Sequence, residues 1–279
     1  MLYISSACIK NDSIFEIINQ LKTITNNIEL SGGTKIQENM FEKISKLNHE
    51  NTKLNFLIHS YFPPPVNDFV LNFADISEQT RTFITESMRY IKELDISYYS
   101  IHAGFKKDFK IKNEILEDGK GSFLLENIKE NINWFCDNYT EKLALENLFP
   151  NGQNETCFAS HIEEIVKLLE LDKRVFLLLD LGHLKISSRF YKFNYLEAVN
   201  LLFNNYSDRI LEIHLSENNG MEDNHYIIKS DSIQYVILQK FRKNIIDNNI
   251  NLVIEARGYS LESLSECYDL LNFITGEEV

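Results

Sequence analysis

Eight times along the chain a short run of β-branched and aromatic residues gives way to a longer amphipathic stretch, and this alternation constrains the fold more than any other feature. Short apolar runs followed by stretches of helical period are the pattern of repeated βα units, whose parallel strands are covered by their own helices. The runs predict strands near residues 2–7, 27–31, 53–59, 97–103, 142–147, 174–181, 209–215 and 251–256. The intervening stretches predict helices over 13–25, 35–48, 77–94, 122–139, 160–171, 194–204, 231–248 and 260–274, with Asp12, Ser77 and Ser160 as starting signals. LNFLIHS and VFLLLDL are nearly continuous apolar runs, as expected of parallel strands buried on both faces. Eight such units close into a (β/α)₈ barrel, an architecture that needs roughly 250 residues. At 279 residues with no Pro/Gly/Ser-rich linker, the expectation is a single α/β barrel domain spanning residues 1–279.

Composition removes several classes of function. Hydrophobic residues make up 44% of the chain, enough for a large core, and no low-complexity tract suggests disorder. MLYISSACIKND has no basic region leading into an apolar one, and no apolar run approaches the roughly 20 residues of a membrane span. Cys8, Cys136, Cys157 and Cys267 are widely spaced and form no CxxC pair, which fits reduced thiols in the cytoplasm. The net charge of −13 argues mildly against a nucleic-acid partner, although whole-chain charge hides local patches.

The strand ends carry the chemistry. FLIHS, YYSIHAG, LALEN, LLLDLGH, LEIHLS and LVIEAR place His59, His102, Glu146, Asp180 with His183, His214, and Glu255 at or just past the ends of the third to eighth strands. Asp223 and His225 follow in the loop after His214, for nine candidate ligands in all; only His49 and His161 of the seven histidines fall outside the set. Imidazole nitrogens mixed with carboxylate oxygens suit zinc, manganese, iron or cobalt better than calcium or magnesium. In a (β/α)₈ barrel the catalytic centre lies at the C-terminal mouth, where these positions converge. Burying four carboxylates and five imidazoles together without cations would be very costly. A single residue of this kind at a strand end is ordinarily packing; the set is what points to metal.

Further residues could reach the mouth. Glu29, inside the second strand, reads equally as a substrate contact or a buried, paired carboxylate. Tyr61 and Phe62 could stack on a sugar face or a base, ahead of three prolines that stiffen the rim. Lys106, Lys107, Lys110 and Lys112 follow the His102 strand as either a solvated loop or an anion-steering rim. Arg257 reads as a phosphate or hydroxyl contact or as a surface ion pair. Gly32-Gly33 is expected to be a tight turn, because no phosphate-loop pattern surrounds it.

The order His, His, Glu, Asp-x-x-His, His, Asp-x-His, Glu over strands three to eight resembles the xylose isomerase-like TIM barrel superfamily across nearly the whole chain. That superfamily includes sugar-phosphate isomerases and epimerases and the endonuclease IV-like enzymes of AP endonuclease family 2. The resemblance implies two alternatives. All nine ligand positions match in type those that hold three zinc ions in endonuclease IV, a phosphodiesterase acting at abasic sites in DNA. Sugar-acting members use a single divalent site, best matched by Glu146, Asp180, His214 and Glu255. Departures favour the sugar reading: HLSENNG and DNHYIIKSDS lack the Asn-Asp-Ser-Lys and glycine-rich features typical of endonuclease IV. The segment SYFPPPVNDFVLNFAD is similar to isomerase-like barrels found with surface-polysaccharide enzymes.

The leading expectation is therefore a metal-dependent isomerase or epimerase of a sugar or sugar phosphate, holding one to three zinc or manganese ions, with Glu146 and Glu255 as its proton-transferring pair. The alternatives are a phosphodiesterase, for which DNA would be the partner, and a carbohydrate-binding barrel with little turnover. Charge bears on the count: with neutral histidines the four carboxylates carry −4, so three divalent ions leave +2, suited to a phosphate, and one leaves −2. The particular sugar and the oligomeric state are not legible.

Overall fold

The computed structural model describes residues 1–50, 54–67, 69–107, 120–150 and 155–275. All eight expected strands form: β1 (Leu2–Ser5), β2 (Asn27–Leu30), β3 (Asn55–Ile58), β4 (Tyr98–His102), β6 (Lys142–Glu146), β8 (Val175–Asp180), β9 (Ile210–Leu215) and β10 (Asn251–Ile254). They make one parallel sheet in the order β3-β2-β1-β10-β9-β8-β6-β4. Its two ends meet through a parallel bridge between His59 and Ser100, where the Ser60 N–H donates to the Ser100 carbonyl at 2.8 Å. The sheet thereby closes, and the fold is a (β/α)₈ barrel. The strands are buried on both faces, with aliphatic residues such as Ile4, Leu145, Leu177, Leu179, Ile213 and Leu252 fully enclosed.

Ten helices lie among the described residues, and most match the sequence pattern: α1 (Ile14–Leu21), α2 (Met40–Glu50), α3 (Glu78–Glu93), α4 (Lys120–Asn138), α5 (Ile162–Leu171), α6 (Leu181–Tyr191), α7 (Tyr195–Tyr206), α8 (Ile233–Lys240), α9 (Arg242–Asp247) and α10 (Leu261–Thr275). Ser77 caps α3 as expected. Ser13, one residue past Asp12, caps α1, and His161 rather than Ser160 caps α5 in a reciprocal box with Glu164. The second helix begins at Met40 and not near residue 35, because the Gln37 side chain is spent holding the start of α1 through Ser13 and Ile14. The expected helix 231–248 is two, broken at Phe241, whose ring is buried and stacks on Phe203 with centroids 4.3 Å apart.

Two features were not anticipated. Helix α6 starts at Leu181 directly from the end of β8, so the DLGH segment is a strand-to-helix junction and not an open loop. In addition, β5 (Phe105–Lys107) pairs antiparallel with β7 (Glu155–Cys157), joining the loops that leave β4 and β6 into a small ribbon at the barrel mouth. Among the described residues no helix is long and apolar enough to cross a membrane.

Candidate metal centre

Strand register brings the ligand types together. His102 at the end of β4 stands beside Glu146 at the end of β6, and Asp180 at the end of β8 stands beside His214 in β9. His59 and Glu255 lie just beyond the ends of β3 and β10. His183 projects from the first turn of α6, where the Asp180 carboxylate accepts its backbone N–H at 2.6 Å as helix cap. Asp223 and His225 arrive on the loop after β9, held near Glu255 by the Arg257 N–H donating to the His225 carbonyl. All nine sequence-derived ligand candidates thus converge on the mouth of the barrel.

They converge as overlapping clusters, and Glu29 joins His59 and His214 in one of them. Glu146 Oε2 lies 3.2 Å from His59 Nε2 and 3.1 Å from His102 Nε2. Its other oxygen is 3.2 Å from His183 Nδ1 and 4.0 Å from His214 Nδ1, and the latter is 3.6 Å from Glu255 Oε2. Asp180, His214 and Glu255 offer ligand atoms within 4.8 Å of one another, as do Glu146, Asp180 and His183. Asp223 Oδ2 sits between His225 Nε2 at 2.8 Å and His183 Nε2 at 3.6 Å.

The scaffold commits one nitrogen of several rings and leaves the other facing inward. Ser100 Oγ donates to the Ile58 carbonyl and so accepts from His59 Nδ1 at 3.2 Å, leaving Nε2 bare toward Glu146. Carbonyls can only accept, so the Asn147 carbonyl 3.0 Å from His183 Nδ1 and the Glu255 carbonyl 2.9 Å from His225 Nδ1 place protons on those nitrogens. His214 is held from the other side, its Nε2 lying 2.9 Å from both Glu29 and Glu212. This is the arrangement that fixes tautomer and ring plane in metal-binding histidines.

Electrostatics agree with a cation site. Burial pushes the Glu146 carboxyl up, but the imidazoles of His102 and His59 more than offset it and hold the group well below the ordinary range. Glu255 and Asp223 are likewise held low against burial, the first by His214 and Arg257 and the second by His183 and His225. Burial raises Asp180 to about 6 and Glu29 to about 8. His183 and His214 are raised well above their usual value despite burial, through Asp180 and Glu29 respectively, whereas burial pushes His59 down. The chemical fit is good: Glu146 Oε2, Asp180 Oδ2, Asp223 Oδ1 and His214 Nδ1 are buried without a hydrogen-bond partner, and N/O ligands of this kind suit zinc or manganese.

A cavity of about 810 Å³ opens beside the centre, lined among others by Lys10, Gly32, Gly33, His59, Tyr61, His102, Glu255 and Arg257. Tyr61 lies on its wall with its hydroxyl donating to the Leu71 carbonyl, and its ring centroid is 5.7 Å from that of His102. Arg257 is half-exposed and donates to Glu255 Oε1 at 3.0 Å. Phe62 is fully buried against Tyr90 and presents no face to the cavity. Glu29 is fully buried behind His214, the paired-carboxylate arrangement of its two sequence readings. Lys106 and Lys107 fall in β5, whereas Lys110 and Lys112 lie outside the described residues.

Sequence reasoning missed Glu212 and Asn147. Glu212 stands two residues before His214, and side chains two apart on a strand share a face, so the LEIHLS segment held the signal. Asn147 accepts the Asp180 N–H at 2.8 Å and donates to the Asp180 carbonyl at 3.0 Å; its role depends on strand pairing and has no local signature.

Known proteins agree with this description. The backbone superposes on a D-tagatose 3-epimerase-like protein with a TM-score of 0.71 at 20% identity, over 99% of this chain and 98% of that one. A xylose isomerase domain containing protein from Salmonella typhimurium gives 0.68 at 14% identity, over 99% and 97%. Endonuclease IV from Thermus thermophilus gives 0.57 at 12% identity, over 98% and 99%. At these identities the likeness is one of fold. No curated protein matches the chain by sequence. The family profile described as xylose isomerase-like TIM barrel matches residues 25–265, most of the length, and the chain belongs to that family.

Proposed function

We propose that this protein is a metal-dependent isomerase or epimerase acting on a sugar or sugar phosphate. The observation that carries the reading is the placement of two buried carboxylates, Glu146 and Glu255, within 4.0 and 3.6 Å of His214 Nδ1, next to a cavity of about 810 Å³. That volume is of small-molecule size. Glu146, Asp180, His214 and Glu255 would hold one zinc or manganese ion, which supplies Lewis acidity to neighbouring substrate oxygens. Removing a proton from a carbon next to a carbonyl needs a base to take it and an acid to return it. Glu146 and Glu255 fill these roles in alternation, a contribution of about 10²–10⁴ in rate. Arg257 engages Glu255 Oε1 and extends to the cavity wall, where its guanidinium can meet a hydroxyl or phosphate. Tyr61 offers a ring face to the substrate, and Lys106 stands near the rim.

The test is turnover of ketoses and their phosphates in deuterated water with the metal-loaded protein. Deuterium enters at the carbon beside the carbonyl with wild type and is lost in Glu146→Gln and Glu255→Gln. Turnover without solvent exchange would refute the two-carboxylate shuttle.

A second reading, an endonuclease IV-like phosphodiesterase acting at abasic DNA, is favoured by one observation. Five ligand-type residues beyond the four needed for a single ion, His59, His102, His183, Asp223 and His225, also converge, three of them with a ring nitrogen committed to the scaffold. Three metals per chain, together with nicking of an abasic-site oligonucleotide that disappears in Glu255→Gln, would replace the isomerase reading with this one.

A further inference from the structure

Behind the ligand ring, β2 and β9 press two carboxyl groups against the far edge of one imidazole. Glu29 Oε2 and Glu212 Oε1 each lie 2.9 Å from His214 Nε2, and all three side chains are wholly enclosed. The opposite nitrogen, Nδ1, has no hydrogen-bond partner and faces Glu255 and Glu146. The other centre histidines with a scaffold contact are steered by neutral groups, the Ser100 hydroxyl and the Asn147 and Glu255 carbonyls. Among these, only His214 is backed by carboxyls that lie outside the candidate ligand set.

We propose that Glu29 and Glu212 are positioning residues, a two-carboxyl clamp on the Nε2 side of His214 that fixes its tautomer and ring plane so that Nδ1 is presented to a divalent ion. Neither reaches the cavity, so neither touches substrate. A stabilising role alone does not account for them. Glu29 Oε1 and Glu212 Oε2 are buried without partners, and a buried polar atom left in that state costs stability. What the carboxyls add is a directed acceptor for the ring proton, which also makes the opposite nitrogen a stronger donor to metal. The geometry divides the labour between strands: Glu212 reaches the ring from two residues back on β9, and Glu29 reaches it across the barrel interior from β2.

The inference rests on His214 being a metal ligand and is independent of which reaction the centre performs. The experiment measures zinc affinity by competition with a chelating dye in wild type, Glu29→Leu, Glu212→Leu, the double Leu variant and Glu212→Gln, alongside the Tm of each metal-free protein. The Leu variants should bind zinc about 10–100-fold more weakly, and the double variant, which leaves the buried His214 Nε2–H without an acceptor, should also show a lower metal-free Tm. Glu212→Gln, whose amide carbonyl still accepts a proton, should recover part of the loss. Zinc affinity in the double Leu variant within twofold of wild type would overturn the clamp. Nitrogen-15 spectra of histidine in the wild-type metal-free protein give an independent reading: a His214 signal protonated at Nε2 supports the clamp, and one protonated only at Nδ1 overturns it. Wild type that binds no zinc at all is a distinct result and defeats the metal reading itself, and the clamp with it.

Discussion

Gly182→Ala is a one-carbon change whose effect can be worked out from the junction between β8 and α6. A Cβ at this position would lie 2.8 Å from the Ser216 carbonyl oxygen, 3.0 Å from Asn218 Nδ2 and 3.2 Å from Asp180 Oδ1. None of the three can yield freely. The Ser216 carbonyl accepts from the Gln234 side chain, Asn218 Nδ2 donates to the Gly182 carbonyl, and Asp180 Oδ1 caps the helix through the His183 N–H. Relief must come from moving the segment after β9 away from α6, or from turning Asp180. Overpacking of this kind costs about 1–3 kcal/mol. For 279 residues the unfolding entropy is roughly 0.6 kcal/mol per degree, so Tm should fall by about 2–5 °C. The same shift displaces a carboxylate of the metal centre, so zinc affinity should fall together with Tm. Thermal unfolding with and without chelator, followed by zinc titration, measures both. A variant with wild-type Tm and wild-type zinc affinity would show that the junction has slack, and that close approach is not why glycine stands there.

Two further outcomes follow from the same geometry. Asn147→Ala strands the Asp180 N–H and carbonyl, both now paired with the buried amide, and should cost about 2–4 kcal/mol, seen as a lower urea midpoint; a loss under about 1 kcal/mol would mean that water replaces the amide. The metal-free protein should lose stability as pH rises, because the folded-state values of His183, His214 and Glu29 are raised: their contribution is fully present below the ordinary values of 6.5 for histidine and 4.5 for glutamate, and for Glu29 it is lost as pH passes about 8. Metal competes with the same imidazole protons, so the zinc-loaded protein should instead gain stability between about pH 5 and 7. Parallel slopes in the two forms, read by chemical denaturation across pH, would contradict the protonated-histidine account.

The barrel was legible because its signal is repeated. Eight apolar runs, each followed by a helical stretch, outweigh uncertainty at any one boundary, and a strand such as VFLLLDL needs no tertiary information to be read as doubly buried. The misjudged elements are those decided by contacts distant in sequence. Phe241 breaks a helical pattern because its ring pairs with Phe203, and Gln37 keeps its segment out of α2 because Ser13 lies alongside. The ribbon of β5 and β7 joins loops about fifty residues apart, and no window of sequence contains both. Phe62 and Tyr61 look alike as an exposed aromatic pair ahead of the prolines, yet the chain turns one into the core and the other onto the cavity wall.

The centre divides along the same line. Its candidate ligands could be read from the chain because metal chemistry admits few residue types and the barrel confines them to strand ends. The groups that orient those ligands could not, because an acceptor for an imidazole proton can be a hydroxyl, a carbonyl or a carboxyl. Ser100, the Asn147 carbonyl, the Glu255 carbonyl and the Glu29–Glu212 pair do one job with three chemistries. Two of these four act through backbone oxygens, which leave no trace in residue identity. A side chain used in this way is constrained by direction and not by reactivity, so a chain could keep every ligand and still lose the site. The residue types gathered at such a mouth are therefore readable from sequence, whereas the groups that orient them are visible only in three dimensions.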